Sequence, residues 1–186
     1  MAETLDTPTA ILASAAALLR ENTFDDISYR SLGDAVGVSE RTVYRQFPTR
    51  SHLLEGLAEA IERTEFPLPA FVTIPQFRQA VRVRFAQFDA SPASAFVCAR
   101  AASISPTGEP EPTFLTRTIE AMLQANFPAL DARDLRRIAA TLRYFSSAQF
   151  WARMRTGFEM SAVEIADVFD RTVEQALSRI PDAVRT

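Results

Sequence analysis

The chain has 186 residues, a formal net charge of −3 at pH 7 and 47% hydrophobic residues, which fits a globular protein of one domain or a small domain fused to a larger one. The slight acidity excludes a uniformly basic nucleic-acid coat, so any such contact must come from a local patch. A single cysteine, Cys98, excludes an internal disulfide and suits a reducing compartment. One cysteine and one histidine, His52, leave no histidine/cysteine zinc cluster. The N-terminal stretch is acidic at Glu3 and Asp6, unlike a signal peptide, and no apolar run approaches the roughly 20 residues of a membrane span. A cytoplasmic chain is expected. All 20 basic residues of the Lys/Arg class are arginine and lie along the whole length, as codon bias would leave them.

Helical periodicity runs from end to end, and no strand-like alternation of useful length interrupts it. Thr7-Pro8 reads as the start of a first helix with Ile11, Leu12, Ala15, Leu18 and Leu19 on one face, Thr7 supplying the cap. Phe24 and Ile27 follow as core plugs. Ser28 caps a short second helix that turns Leu32, Ala35 and Val36 inward, and Gly37 ends it. Ser39 caps a third helix that Pro48 stops. Thr49 opens a fourth, with Leu53, Leu54, Leu57 and Ile61 on one face.

Beyond Pro67 and Pro69 the pattern stays helical. A helix from Pro75 carries Phe77, Val81, Phe85 and Phe88. A short Ala-rich helix follows Pro92, and the stretch 105–112 is rich in turn residues. The next helix carries Leu115, Ile119 and Met122. One long helix is expected from Asp131 to Thr156, before Gly157. A last one begins at Ser161, where Ser161 and Glu164 have capping-box spacing, and ends near Pro181. The fold class is all-α, with about nine helices. Residues 1–65 form a helix-turn-helix domain whose three helices lead into the fourth, and 66–186 a second helical domain.

Residues 28–47 are two short helices joined by a tight glycine turn, the layout of a DNA-binding helix-turn-helix. The second of them needs only Val43 and Phe47 to hold it inside. It turns Glu40, Arg41, Thr42, Tyr44, Arg45 and Gln46 outward. Between Ser28 and Arg50 the four arginines 30, 41, 45 and 50 outweigh Asp34 and Glu40, a local excess of positive charge suited to phosphate.

The run from Ser28 to Leu54 resembles the TetR family of transcriptional regulators. The resemblance rests on Gly37-Val38-Ser39, Thr42-Val43-Tyr44, Phe47, and Arg50 before Leu53-Leu54. It implies a DNA-binding face made by Ser28, Arg30, Ser39, Glu40, Arg41, Thr42, Tyr44, Arg45, Gln46 and Arg50. Thr42 and Tyr44 match phosphate-touching positions, and Arg50 stands where the family has a phosphate-binding lysine. Arg41 or Arg45 suits guanine and Gln46 suits adenine. Two positions depart from the family pattern. The stretch before the first helix is acidic rather than basic, and Gly33 replaces an alanine, which should slightly weaken the second helix.

The resemblance also implies that the second domain dimerises and takes an effector, making the chain a repressor rather than an enzyme. No cofactor is implied. The partners are a double-stranded operator, a second copy of the chain and a small hydrophobic ligand. Arg84, Phe85, Phe88, Phe96, Phe114, Met122 and Phe145, with Phe150, are candidates for the ligand pocket, although the same aromatic spacing also builds a plain core. Arg84 falls inside the apolar arc of its helix, as a counter-ion or as a structural pair. Ala140, Tyr144, Ala148 and Trp151 form a second stripe on the long helix. With Phe169, Val173 and Ala176 of the last helix they are candidates for a dimer interface. The alternative is a regulator without a small-molecule effector, its second domain serving dimerisation or a protein partner.

Overall fold

The computed structural model describes residues 6–104, 113–178 and 180. Glu3, the turn-rich stretch 105–112 and the end of the chain at Pro181 lie outside the described residues. Ten α-helices account for most of the described chain, with a 3-10 turn at Phe24–Asp26. Two units separate by their internal packing. Residues 6–66 and 91–104 form the first, and residues 67–90 and from 113 onward form the second.

The first unit contains α1 (Thr7–Leu18), α2 (Tyr29–Val36), α3 (Glu40–Gln46), α4 (Arg50–Thr64) and α6 (Pro92–Ala101). Asp6, not Thr7, caps α1, its carboxylate accepting from the Thr9 N–H at 3.1 Å. Thr7-Pro8 therefore forms the first turn, where a proline has no helical N–H bond to lose. Ile11, Ala15, Leu32, Val43, Leu53, Leu57 and Ile61 are fully or almost fully buried and make the core. Phe24 and Ile27 are buried from the loop, as their apolar character requires. Ala35 is exposed, against expectation; α2 turns Tyr29, Leu32 and Gly33 inward instead. The α6 helix lies against α4, and Cys98 is buried there with its Sγ 3.8 Å from the Ala58 carbonyl oxygen.

The second unit contains α5 (Ile74–Ala90), α7 (Phe114–Asn126), α8 (Ala132–Phe145), α9 (Ala148–Phe158) and α10 (Ala162–Ser178). The single long helix expected from Asp131 to Thr156 is two helices, broken at Ser146-Ser147. The Ser146 hydroxyl donates to the Arg143 carbonyl at 3.1 Å, and the Ser147 hydroxyl to that of Tyr144 at 2.6 Å. Ser147 then takes an extended conformation and caps α9, its Oγ accepting from the Phe150 N–H. Serine hydroxyls compete with the helical backbone, and here two in succession end one helix and start the next. The α9 helix runs past Gly157 and ends at Glu159, which adopts the left-handed conformation (φ 56°).

At the following corner, Asp89 ties three elements together. It accepts from Trp151 Nε1 at 2.8 Å and from the Ala162 N–H at 2.9 Å, joining α5, α9 and the start of α10. Ser161 and Glu164 form the capping box that their spacing predicts: Glu164 accepts from the Ser161 N–H at 2.8 Å, and Ser161 Oγ accepts from the Glu164 N–H at 3.4 Å. Along the α5–α10 contact the buried Asp170 carboxylate accepts from Arg78 Nε at 2.6 Å and from Arg82. Arg78 also reaches Glu174 at 3.0 Å.

Candidate nucleic-acid interface

The helix pair α2–α3 is built by its end signals. Ser28 and Ser31 bond reciprocally, the Ser31 N–H to Ser28 Oγ at 3.0 Å and the Ser28 N–H to Ser31 Oγ at 3.1 Å, which satisfies two donors at the start of α2. Gly37 ends α2 with φ 77°, and both its N–H and that of Val38 donate to the Gly33 carbonyl, at 2.8 and 2.9 Å. Gly33 itself sits where the two helices close. A Cβ there would stand 2.7 Å from the Val38 carbonyl oxygen and 3.3 Å from the Glu40 nitrogen. Its missing side chain thus lets the start of α3 approach α2, a role beyond the small loss of helix propensity that the sequence suggests.

Ser39 caps α3 by accepting from the Thr42 N–H at 3.2 Å, and the Ser39 and Thr42 hydroxyls are 2.9 Å apart. Val43 and Phe47 are buried as anchors. Arg41, Tyr44 and Arg45 are exposed; Glu40, Thr42 and Gln46 are half-buried. Ser39, Arg41, Thr42, Tyr44 and Arg45 border a recess of about 410 Å³. Arg30, on the exposed side of α2, comes within 3.8 Å of Glu40, a solvent-facing pair that contributes little to stability.

Tyr29 is the residue that the sequence reading passed over. Its hydroxyl is buried and donates to the Phe47 carbonyl at 2.8 Å, and its ring meets that of Tyr44 edge-on at 4.4 Å. Burial raises its pKa above the ordinary tyrosine value, with Arg50 acting in the opposite sense. The signal available was a tyrosine directly after an N-cap, one turn before the buried Leu32.

Arg50 is half-buried at the start of α4. Its guanidinium donates to the Ile27 carbonyl at 2.6 Å and to the Phe24 carbonyl, and it lies over the Phe24 ring at 4.1 Å. Thr49 caps α4, its hydroxyl 2.8 Å from His52 Nδ1. His52 is half-buried beside that cap.

The profile of the "Bacterial regulatory proteins, tetR family" matches residues 11–57. The N-terminal domain belongs to the TetR family. Two curated relatives match over part of their length. The nucleoid occlusion factor SlmA of Alteromonas mediterranea is 41% identical over 56 residues, covering 30% of this chain and 29% of the relative. Its counterpart in a Marinomonas species is 39% identical over 61 residues, covering 33% and 31%. The chain thus spans about three tenths of the length of these relatives. A crystal structure of a TetR transcriptional regulator from Rhodococcus sp. RHA1 superposes with a TM-score of 0.67 at 15% identity, over 93% of this chain and 97% of that one. At that identity the likeness shows the fold, which extends through both helical units.

Outside the TetR-family domain the candidate residues scatter. Arg84, Phe85, Phe88 and Met122 are buried in the second unit. Their rings pack on one another: Phe85 lies 6.2 Å from Phe88, 6.2 Å from Phe150 and 6.1 Å from Phe169, and Phe88 lies 5.5 Å from Trp151. The Arg84 guanidinium is 5.4 Å from the Phe88 ring centre. Phe145 is half-buried and 4.9 Å from Phe150. Phe114, at the first position of α7, is 84% exposed and lies outside this cluster; Phe96 belongs to the first unit.

The candidate interface residues also divide. Ala148 and Trp151, on α9 beyond the break at Ser146-Ser147, and Phe169 and Val173 of α10 are buried in the second unit's own core. Ala140 and Tyr144 remain exposed on α8, and Ala176 is half-buried on α10. A groove of about 290 Å³ runs between these two helices, bordered by Ile138, Thr141, Phe145, Thr172, Gln175 and Ala176. Among the described residues no helix is long and apolar enough to cross a membrane, and no group of three or more His, Cys, Asp or Glu side chains is placed to hold a metal ion.

Proposed function

We propose that the chain is a transcriptional repressor that binds a palindromic operator as a homodimer and is released by a small hydrophobic ligand. The observation that carries the DNA-binding part is the exposed face of α3. Arg41, Tyr44 and Arg45 project from a helix held at its base by Val43, Phe47 and the Tyr29–Phe47 bond. Arginine forks on such a face suit guanine edges in the major groove, and Thr42 and Tyr44 suit phosphates. Ser28, Ser39, Arg30, Glu40 and Gln46 complete the reading surface.

A palindrome requires two reading heads, about one helical turn or a multiple apart. The exposed Tyr144 and Ala140 of α8, the helix that also borders the α8–α10 groove, support a second copy at that face. A buried arginine beside the Phe88 ring supports a ligand that is mostly apolar with one acidic or polar group. The mutual contact of the phenylalanine rings favours the second reading, a regulator whose C-terminal unit dimerises without an effector. The deciding experiment is selection of duplexes from a random pool, followed by salt titration on the enriched sequence. An enriched palindrome with a steep salt slope supports the operator reading. A folded dimer that enriches nothing defeats it.

A further inference from the structure

We infer that Arg50 is a positioning residue for the reading head and not a phosphate contact. The inference rests on the DNA-binding reading above and changes the part that one residue plays in it. Arg50 opens α4, yet its guanidinium reaches back to the segment directly before the Ser28 cap of α2. There it bridges two carbonyls three residues apart, those of Phe24 and Ile27, and covers the Phe24 ring. Arg100 of α6 bonds Asp25 at 2.8 Å and lies 5.5 Å from the same ring. The segment 24–27 is thus held by two arginines from two helices.

That segment sets where the chain enters α2. Both carbonyls accept from Arg50, so their orientation depends in part on that guanidinium. A planar fork with donors on both terminal nitrogens can hold two carbonyls and stack on a ring at once. An ammonium group offers a compact charge and no such plane. Moving 24–27 moves Ser28 and Tyr29, and through Tyr29 the end of α3 at Phe47. A phosphate would have to draw Arg50 away from two carbonyls and an aromatic face.

Arg50→Lys and Arg50→Met separate the two roles. With an enriched duplex, at a temperature where every variant is folded, a positioning residue predicts that both substitutions weaken binding about tenfold on all sequences, with the wild-type salt slope. A lysine variant that binds like wild type, beside a methionine variant whose salt slope is shallower by about one charge, overturns the inference. So does wild-type affinity in both variants. Thermal unfolding without DNA reads the anchor by itself. Equal lowering of Tm in both variants supports it, and a lysine variant at the wild-type Tm overturns it. A wild-type chain that binds no duplex would remove the DNA-binding reading instead, and the unfolding comparison would still decide the anchor.

Discussion

The Tyr29 hydroxyl donates to the Phe47 carbonyl oxygen at 2.8 Å, tying the first residue of α2 to the residue that ends α3, eighteen positions later. The bond is buried, so nothing in water replaces it when it is removed. Tyr29→Phe should cost about 1–3 kcal/mol, because the Phe47 carbonyl then loses its donor. Urea unfolding measures this directly. A variant as stable as wild type would mean that the carbonyl finds another partner.

The same tyrosine predicts a pH dependence. Burial, the largest cause, raises its pKa above the ordinary value, so the folded state keeps the proton longer than the unfolded chain does. The stabilisation is complete below the ordinary tyrosine pKa of about 10 and is lost as pH rises through the folded value. Unfolding midpoints measured upward from neutral pH should fall at the alkaline end in the wild type. Tyr29→Phe should lessen that fall, and an identical alkaline profile in the two proteins would refute the assignment.

If α3 is the reading helix, Arg45 is, with Arg41, one of its two exposed arginines placed to read a base. Arg45→Ala should weaken operator binding by roughly 1–3 kcal/mol and relax the preference at one base pair. Binding to a panel of single-base operator variants tests both. A uniform loss across the panel would make Arg45 a phosphate contact.

Asp170 is buried between Arg78 and Arg82, both of which retain solvent contact. Asp170→Asn leaves two arginines facing a neutral group on the α5–α10 contact. Allowing for that solvent contact, the loss should be roughly 2–3 kcal/mol. Calorimetry that finds no change in Tm would show that the arginines turn out to water without cost.

Tyr144 is 48% exposed on α8, a helix that borders the α8–α10 groove. If a second copy covers this face, Tyr144→Asp should weaken self-association by about 2 kcal/mol, the scale of a buried aromatic anchor. Sedimentation over a range of concentrations measures it. A dimer unaffected by the substitution would place the interface elsewhere.

Local signals alone settled much of this protein. Ser28, Ser39 and Thr49 each cap a helix, Gly37 ends one, and the Ser161–Glu164 box opens the last. Caps and turns act within a few residues, so their outcome is written in adjacent positions. The order of residues from Ser28 to Leu54 carried the family resemblance for the same reason. The remaining features were decided only in the tertiary structure. Two successive serines were compatible with a continuing helix until their hydroxyls took the backbone carbonyls and split α8 from α9. Ala148 and Trp151, beyond that break, are buried in the core, and packing buried Phe169 and Val173 there. Gly33 reads as a weak helix former, but the approach of Val38 and Glu40 gives its missing side chain a use. Arg50 reads as a free cation at a helix start. Only the fold brings the Phe24 and Ile27 carbonyls to it, because a contact spanning more than twenty residues depends on how three helices pack and leaves no periodic trace in the sequence.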